Sequence, residues 1–167
     1  VLHCPELMLD PDRQAALVQR ARALGASTIR CSRAAFEKVA YREGPDGFLA
    51  VVPVAGVALD ALALPADPLV LVCEGLEKPG NLGAVLRTAE AAGATAVVAP
   101  RDRAAGLTPV VRKVAAGAAE TMPFAQVTNL ARTLRDLKGA GLWIVGTEAG
   151  APQSLFDAEL GGPLALV

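Results

Sequence analysis

The chain has a single histidine, His3, a single tryptophan and a single tyrosine among its 167 residues, and aromatic side chains make up only 4%. A Ser-His-Asp triad or a multi-histidine metal site cannot be assembled from one histidine beside the chain start. Cysteine is scarce too: Cys4, Cys31 and Cys73 are odd in number and never stand in a C-x-x-C spacing. That argues against a disulfide framework or a structural zinc site, and for a reducing cytoplasm. Neither sign of charge dominates, with 16 Lys and Arg against 17 Asp and Glu and a net charge of −1. A bulk polybasic nucleic-acid binder and an acidic disordered tail are both excluded, so any contact with a polyanion must come from a local patch. No apolar run approaches the roughly 18 residues that a membrane span needs, and no signal peptide is visible.

Small apolar residues are abundant. The apolar fraction is 53%, and Ala, Val and Leu rather than aromatics supply the core, as in packed α/β layers. Asp10-Pro11 opens a helix with a Leu17, Val18, Ala21 and Leu24 stripe that Gly25 stops. A short strand over 28–31, a helix capped by Ser32 and running to Val39, a turn over 41–47 and a strand over 48–52 complete a small α/β unit. Residues 54–67, rich in Pro, Gly and small apolar side chains, read as a linker.

From residue 68 the rhythm becomes strand, then helix, repeatedly. Leu69 to Cys73 is a continuous apolar run, as expected of a strand buried on both faces. Asn81 reads as the cap of a helix carrying Leu82, Val85, Leu86 and Ala89. A strand over 95–99, a helix from Thr108-Pro109 to about Glu120, a helix capped by Asn129 and strands over 142–146 and 163–167 follow. This alternation predicts a mostly parallel sheet with helices on its faces.

Ligands of such sheets sit outside the carboxyl ends of the strands. The loop from Glu74 to Gly83 follows one such end. Gly75-x4-Gly80 opens like a phosphate-binding loop, but Asn81-Leu82 stands where Lys-Ser/Thr is required, and no G-x-G-x-x-G occurs. An NTPase, kinase or nicotinamide enzyme is therefore disfavoured. Asn81 and Arg87 lie about 120° apart around a helix, so spacing alone leaves Asn81 as a cap and Arg87 as a surface partner of Glu90. A second strand end, Val145 to Gly150, offers glycines for close backbone approach and the Thr147 hydroxyl. Residues 101–113 hold Arg101, Arg103, Arg112 and Lys113 against Asp102, either a phosphate-gripping patch or a solvated face.

The stretch Asn81-Leu82-Gly83-Ala84-Val85-Leu86-Arg87-Thr88-Ala89-Glu90-Ala91-Ala92-Gly93 closely resembles motif 1 of the SpoU (TrmH-like) RNA ribose 2′-O-methyltransferases of the SPOUT superfamily. Ala96–Pro100, Lys113–Glu120, Val127–Leu130 and Trp143–Thr147 continue the resemblance in register, with a flavour of the bacterial large-subunit rRNA guanosine 2′-O-methyltransferases. Residues 1–53 look like that branch's small substrate-binding domain of ribosomal-protein-L30e type, and 68–167 like the start of its methyltransferase domain.

The resemblance implies an α/β knot fold and metal-free methyl transfer from S-adenosyl-L-methionine to a ribose 2′-hydroxyl of structured RNA, in a cytoplasmic homodimer with rRNA as partner. It carries Asn81 and Arg87 over as the catalytic pair and Gly146, Thr147, Leu166 and Val167 as cofactor-binding. Lys78, Arg101, Arg103, Arg112 and Lys113 are the RNA-binding set. A guanidinium, protonated at every working pH, is a poor general base, so the role expected of Arg87 is to clamp a phosphate and orient or stabilise the developing alkoxide, with Asn81 holding the arrangement. The family's motifs 2 and 3, with the knot, are expected after Val167, and the small domain reads as clipped at its start. The chain thus reads as a fragment that binds the cofactor poorly and transfers no methyl group by itself. A non-catalytic RNA- or ribosome-binding module on the same fold is the alternative.

Overall fold

A computed structural model describes residues 1–40, 43–53 and 56–167. Tyr41 and Arg42 of the expected turn, and Val54 and Ala55 of the expected linker, lie outside the described residues. The chain divides into two compact units, Val1–Pro53 and Val54–Val167.

In the first unit, β1 (Leu2–His3) is flanked by β2 (Ile29–Arg30), parallel to it, and β3 (Phe48–Leu49), antiparallel to it. Helix α1 (Pro11–Ala23) starts as expected, with the Asp10 carboxylate accepting from the Arg13 N–H and Pro11 in the first turn. Its buried face differs from the expected stripe: Gln14 and Val18 are buried, whereas Leu24 is 79% exposed. Gln14 turns inward because its Nε2 donates to the Asp46 carbonyl at 2.6 Å, tying the helix to the turn before β3. Helix α2 (Arg33–Val39) is capped by Ser32 and buries Phe36. Strand β3 covers two residues of the expected 48–52; Val51 and Val52 beyond it are exposed.

The second unit is a five-stranded, wholly parallel sheet. Its strands are β4 (Leu69–Val72), β5 (Ala96–Pro100), β6 (Phe124–Val127), β7 (Trp143–Val145) and β8 (Leu164–Leu166), in the order β6-β5-β4-β8-β7. Strand β6 has no counterpart among the expected strands, because Pro123 before it and its four-residue span obscure its pattern. Alternation along the strands splits the core between the two faces. Leu71, Val97, Ala99 and Phe124 pack under α3 (Pro79–Ala91), α4 (Pro109–Ala115) and α5 (Ala118–Thr121). Val70, Val72, Val98, Ala125 and Ala165 pack under α6 (Leu130–Gly139).

Two local expectations are corrected. Asn81 is not the cap of α3: the helix begins at Pro79, with Lys78 as an N-cap lacking a side-chain bond. Proline's fixed φ and missing N–H suit the first helical position, which carries the helix start back by three residues, from Leu82 to Pro79. The helix expected to run from Pro109 to Glu120 is broken, because Ala116 and Gly117 take positive φ of 52° and 104° and start α5 afresh. In the stretch read as a linker, Leu59–Ala61 forms a 3₁₀ turn, and Leu59, Leu62 and Leu64 pack on the α6 face of the sheet. The Val57 N–H donates to the Phe124 carbonyl at 3.2 Å, so this segment is attached to the sheet rather than free.

Candidate active site

In the sheet order, the chain steps outward from β4 through β5 to β6, then crosses to the far edge at β7 and returns to insert β8 beside β4. The boundary between β4 and β8 is therefore where the winding reverses, and a crevice opens outside the carboxyl ends of strands at such a point. The β4–α3 loop, Cys73 to Lys78, leaves from one side of it, and Leu166-Val167 from the other.

Several of the residues named above meet on this rim. The Thr147 N–H and Oγ1 both donate to the Val167 carbonyl, at 2.7 and 2.8 Å, while the Val167 N–H donates to the Val145 carbonyl at 2.8 Å. Gly146 and Thr147 at the end of β7 are thereby fixed against Leu166 and Val167 at the end of β8. A side-chain atom added at Gly146 would meet nothing within 4 Å, so ligand can approach its backbone closely. The Thr147 hydroxyl, expected to face a ligand, already has an intramolecular partner. Leu166 turns to the α3 face, where it lines an apolar groove of about 370 Å³ with Leu69, Leu71, Val85 and Ala92.

Loops from neighbouring strands join the rim. The Ala105 N–H donates to the Leu76 carbonyl at 2.9 Å, and the Arg101 N–H to the Val127 carbonyl at 2.8 Å. Lys78, Arg101 and Arg103 are exposed there. Arg103 holds φ 54°, a left-handed conformation unusual for a long side chain. Arg112 and Lys113 lie away from these loops, on α4, and the Arg112 guanidinium is engaged with the Glu120 carboxylate of α5. The basic set is thus split between loop and helix.

Asn81 and Arg87 are not brought together within the chain. Both are exposed on α3, six residues apart, which is about 9 Å along the axis and about 120° around it. Glu90, the surface partner that spacing offers Arg87, instead accepts from the Thr121 hydroxyl of α5, and Arg87 makes no hydrogen bond or ion pair among the described residues. Cys73, half-buried at the end of β4, has its thiol pushed up in pKa by burial and stays protonated at neutral pH. Among the described residues, no group of three or more His, Cys, Asp or Glu side chains is placed to hold a metal ion, and no helix is long and apolar enough to cross a membrane.

The family model of the SpoU rRNA Methylase family matches residues 68–167, the sheet and helices just described. The chain belongs to this family. It is 42% identical over 177 residues to the 23S rRNA (guanosine-2'-O-)-methyltransferase RlmB of Shewanella oneidensis, covering 98% of this chain and 72% of that protein. Over 100 residues it is 59% identical to the protein of the same name from Pseudomonas putida, covering 60% of this chain and 40% of the relative. Among solved structures, the SpoU methyltransferase AviRb from Streptomyces viridochromogenes superposes with a TM-score of 0.80 at 23% identity, over 99% of this chain and 62% of that one. An AdoMet-bound rRNA methyltransferase from Sinorhizobium meliloti gives a TM-score of 0.84 at 17% identity, over 99% of this chain and 60% of that one. These two likenesses establish the fold of the SpoU chain, which spans from two fifths to under three quarters of the length of the relatives named here.

Proposed function

We propose that the protein carrying this chain transfers a methyl group from S-adenosyl-L-methionine to the 2′-hydroxyl of a guanosine in 23S rRNA. The observation that carries this reading is the match of residues 68–167 to the SpoU rRNA Methylase family, on a sheet whose reversal point lies between β4 and β8. The rim fits an adenosine in kind: an open backbone at Gly146, the apolar side chain of Leu166 and a fixed pair of strand ends. When bound, the cofactor supplies an electrophilic methyl group, and the chain's own residues do the rest.

Gly146 and Thr147 with Leu166 and Val167 hold the adenosine end. Lys78, Arg101 and Arg103 engage RNA phosphates electrostatically and fix the position of the chain on the RNA without reading sequence. Arg87 remains charged at every working pH, so it holds a phosphate and stabilises negative charge as the 2′-oxygen loses its proton. Asn81, near the start of α3, helps to hold the arrangement in the assembled site. A homodimer doubles the basic rim of a chain whose net charge is only −1, and the working compartment is the cytoplasm.

The test is methyl transfer from isotopically labelled S-adenosyl-L-methionine to 23S rRNA by the intact natural protein, followed by alkaline hydrolysis. Label in a hydrolysis-resistant dinucleotide at a guanosine is expected. Label on a base, or none, overturns the proposal.

One observation favours a second reading, a non-catalytic RNA-binding module: Asn81 and Arg87 lie on different sides of α3. Arg87→Ala separates the two. A methyltransferase loses turnover while largely keeping RNA affinity, whereas a binding module loses affinity or nothing.

A further inference from the structure

The first unit holds a buried polar group for which the proposed reaction has no use. His3 is 9% exposed, and neither of its ring nitrogens has a hydrogen-bond partner. A buried polar group left without a partner is costly, so such positions call for an explanation. The register sets His3 opposite Arg30 on β2 and Phe48 on β3. Cross-strand partners project from one face, so the Arg30 side chain leaves the sheet beside the imidazole. Helix α1 ends over the same region with Arg22, whose Nε donates to Thr28 Oγ1 at 2.7 Å just ahead of β2.

Arg22 and Arg30 are both exposed, and neither has an acidic partner among the described residues. The charged side chains acting on His3 are Arg22 from α1 and Arg30 from β2; β3 contributes the apolar Phe48, and among the described residues no carboxylate acts on the imidazole. Burial first, then these cations, hold the imidazole below its ordinary 6.5, so it is neutral at pH 7. Two exposed guanidinium groups beside an unpaired, neutral imidazole form a positive patch, and among the described residues no acidic side chain pairs with either of them.

We propose that Arg22 and Arg30 clamp a phosphodiester of the RNA beside His3, and that the imidazole takes up one proton from solvent as the anion arrives. Guanidinium groups hold phosphate oxygens through paired N–H donors. The arriving negative charge offsets part of the field that, after burial, disfavours imidazolium, and the protonated ring gains an acceptor for one of its N–H groups. No covalent bond changes. The ligand chemistry is that of tetrahedral phosphate oxygens, and its assignment to RNA rests on the function proposed above.

His3 is the only histidine in the sequence, so its ring C–H protons give one assignable NMR signal. The pH midpoint of that signal is followed in the whole chain alone, with an RNA hairpin, and with inorganic phosphate at matched phosphate concentration. The hairpin is expected to raise the midpoint by about one unit, the effect of a compensating charge a few ångströms away, and inorganic phosphate is not. In an Arg22→Gln/Arg30→Gln variant the midpoint without ligand is expected to start higher, and RNA no longer moves it. Arg30→Gln alone gives a smaller effect of the same sign and serves where the double variant misfolds. A midpoint unmoved by RNA that still binds in a filter assay overturns this proposal alone. An equal shift with inorganic phosphate overturns the RNA assignment, and loss of all RNA binding defeats both this proposal and the function it rests on.

Discussion

Gly83 faces Val111 so closely that a β-carbon added to it would lie 2.7 Å from the Val111 carbonyl oxygen and 2.7 Å from the Val114 Cβ. The glycine of the motif is thus the point where α3 and α4 pack backbone against backbone. It is a packing position. In an open helix, Gly→Ala would gain up to about 1 kcal/mol of propensity. Here the obstacle is backbone, which yields poorly, and overpacking costs about 1–3 kcal/mol. Gly83→Ala is expected to lower the melting temperature by several degrees, measured by thermal denaturation, while Gly80→Ala, with open space around it, leaves it unchanged or raised.

Thr147 is expected to act through Val167. Thr147→Val removes the hydroxyl bond to the Val167 carbonyl but keeps the backbone one, at a cost of about 1 kcal/mol, and loosens the joined ends of β7 and β8. Thr147→Ser retains the donor. Equilibrium unfolding and cofactor titration of the intact natural protein should both rank wild type close to Ser and above Val; a Val variant that binds as wild type does would show that the rim needs no such tie.

The basic residues should separate by their present engagements. Arg101 and Arg103 are exposed on the rim loops, whereas Arg112 is held by Glu120. Arg101→Ala and Arg103→Ala are each expected to reduce the slope of log K against log salt by about 0.7–0.9, the release of one counterion. Arg112→Ala leaves the slope nearly unchanged and costs under about 1 kcal/mol of stability, since its ion pair is half in solvent. Equal slope losses at all three positions would contradict this division.

Stability of the first unit should fall in acid through His3. Its imidazole binds a proton less readily when folded than when unfolded, held down first by burial and then by Arg22 and Arg30. Protonation therefore favours the unfolded chain. The stabilisation is whole above the ordinary value of 6.5. Below it, stability is lost as the pH falls, at up to about 1.4 kcal/mol per pH unit, until the folded imidazole also titrates. In denaturant titrations over this range, His3→Leu is expected to flatten the acid limb.

Much of this was legible in the sequence where a local signal and the tertiary fold agree. Asp10, Ser32, Thr108 and Asn129 each cap the helix that their side chains announce, and the apolar run at Leu69 gives a strand buried in the sheet centre. The readings that missed did so for identifiable reasons. Asn81 imitates a cap, yet Pro79 is a stronger start signal two residues earlier. Leu24 belongs to the apolar stripe of α1, but the polar Gln14 takes the buried place because it has a backbone carbonyl to bind. The engagement of the Thr147 hydroxyl by Val167, and of Glu90 by Thr121, depends on partners 20 and 31 residues away, beyond any local pattern. In the sequence His3 is only a lone histidine that cannot build a triad; the register with Arg30 gives it neighbours.

The insertion of β8 between β4 and β7 has a consequence for assembly. Strands β4, β5 and β6 can zip together as each is synthesised, but among the described residues β7 is hydrogen-bonded to β8 alone. The β7–β8 pair joins the rest of the sheet only when Leu164 finds Leu69, ninety-five positions earlier in the chain. Closing so long a loop is slow, so one late strand acts as the keystone: a proline at Ala165 would strand β7 and bare the flank of β4 in a single stroke.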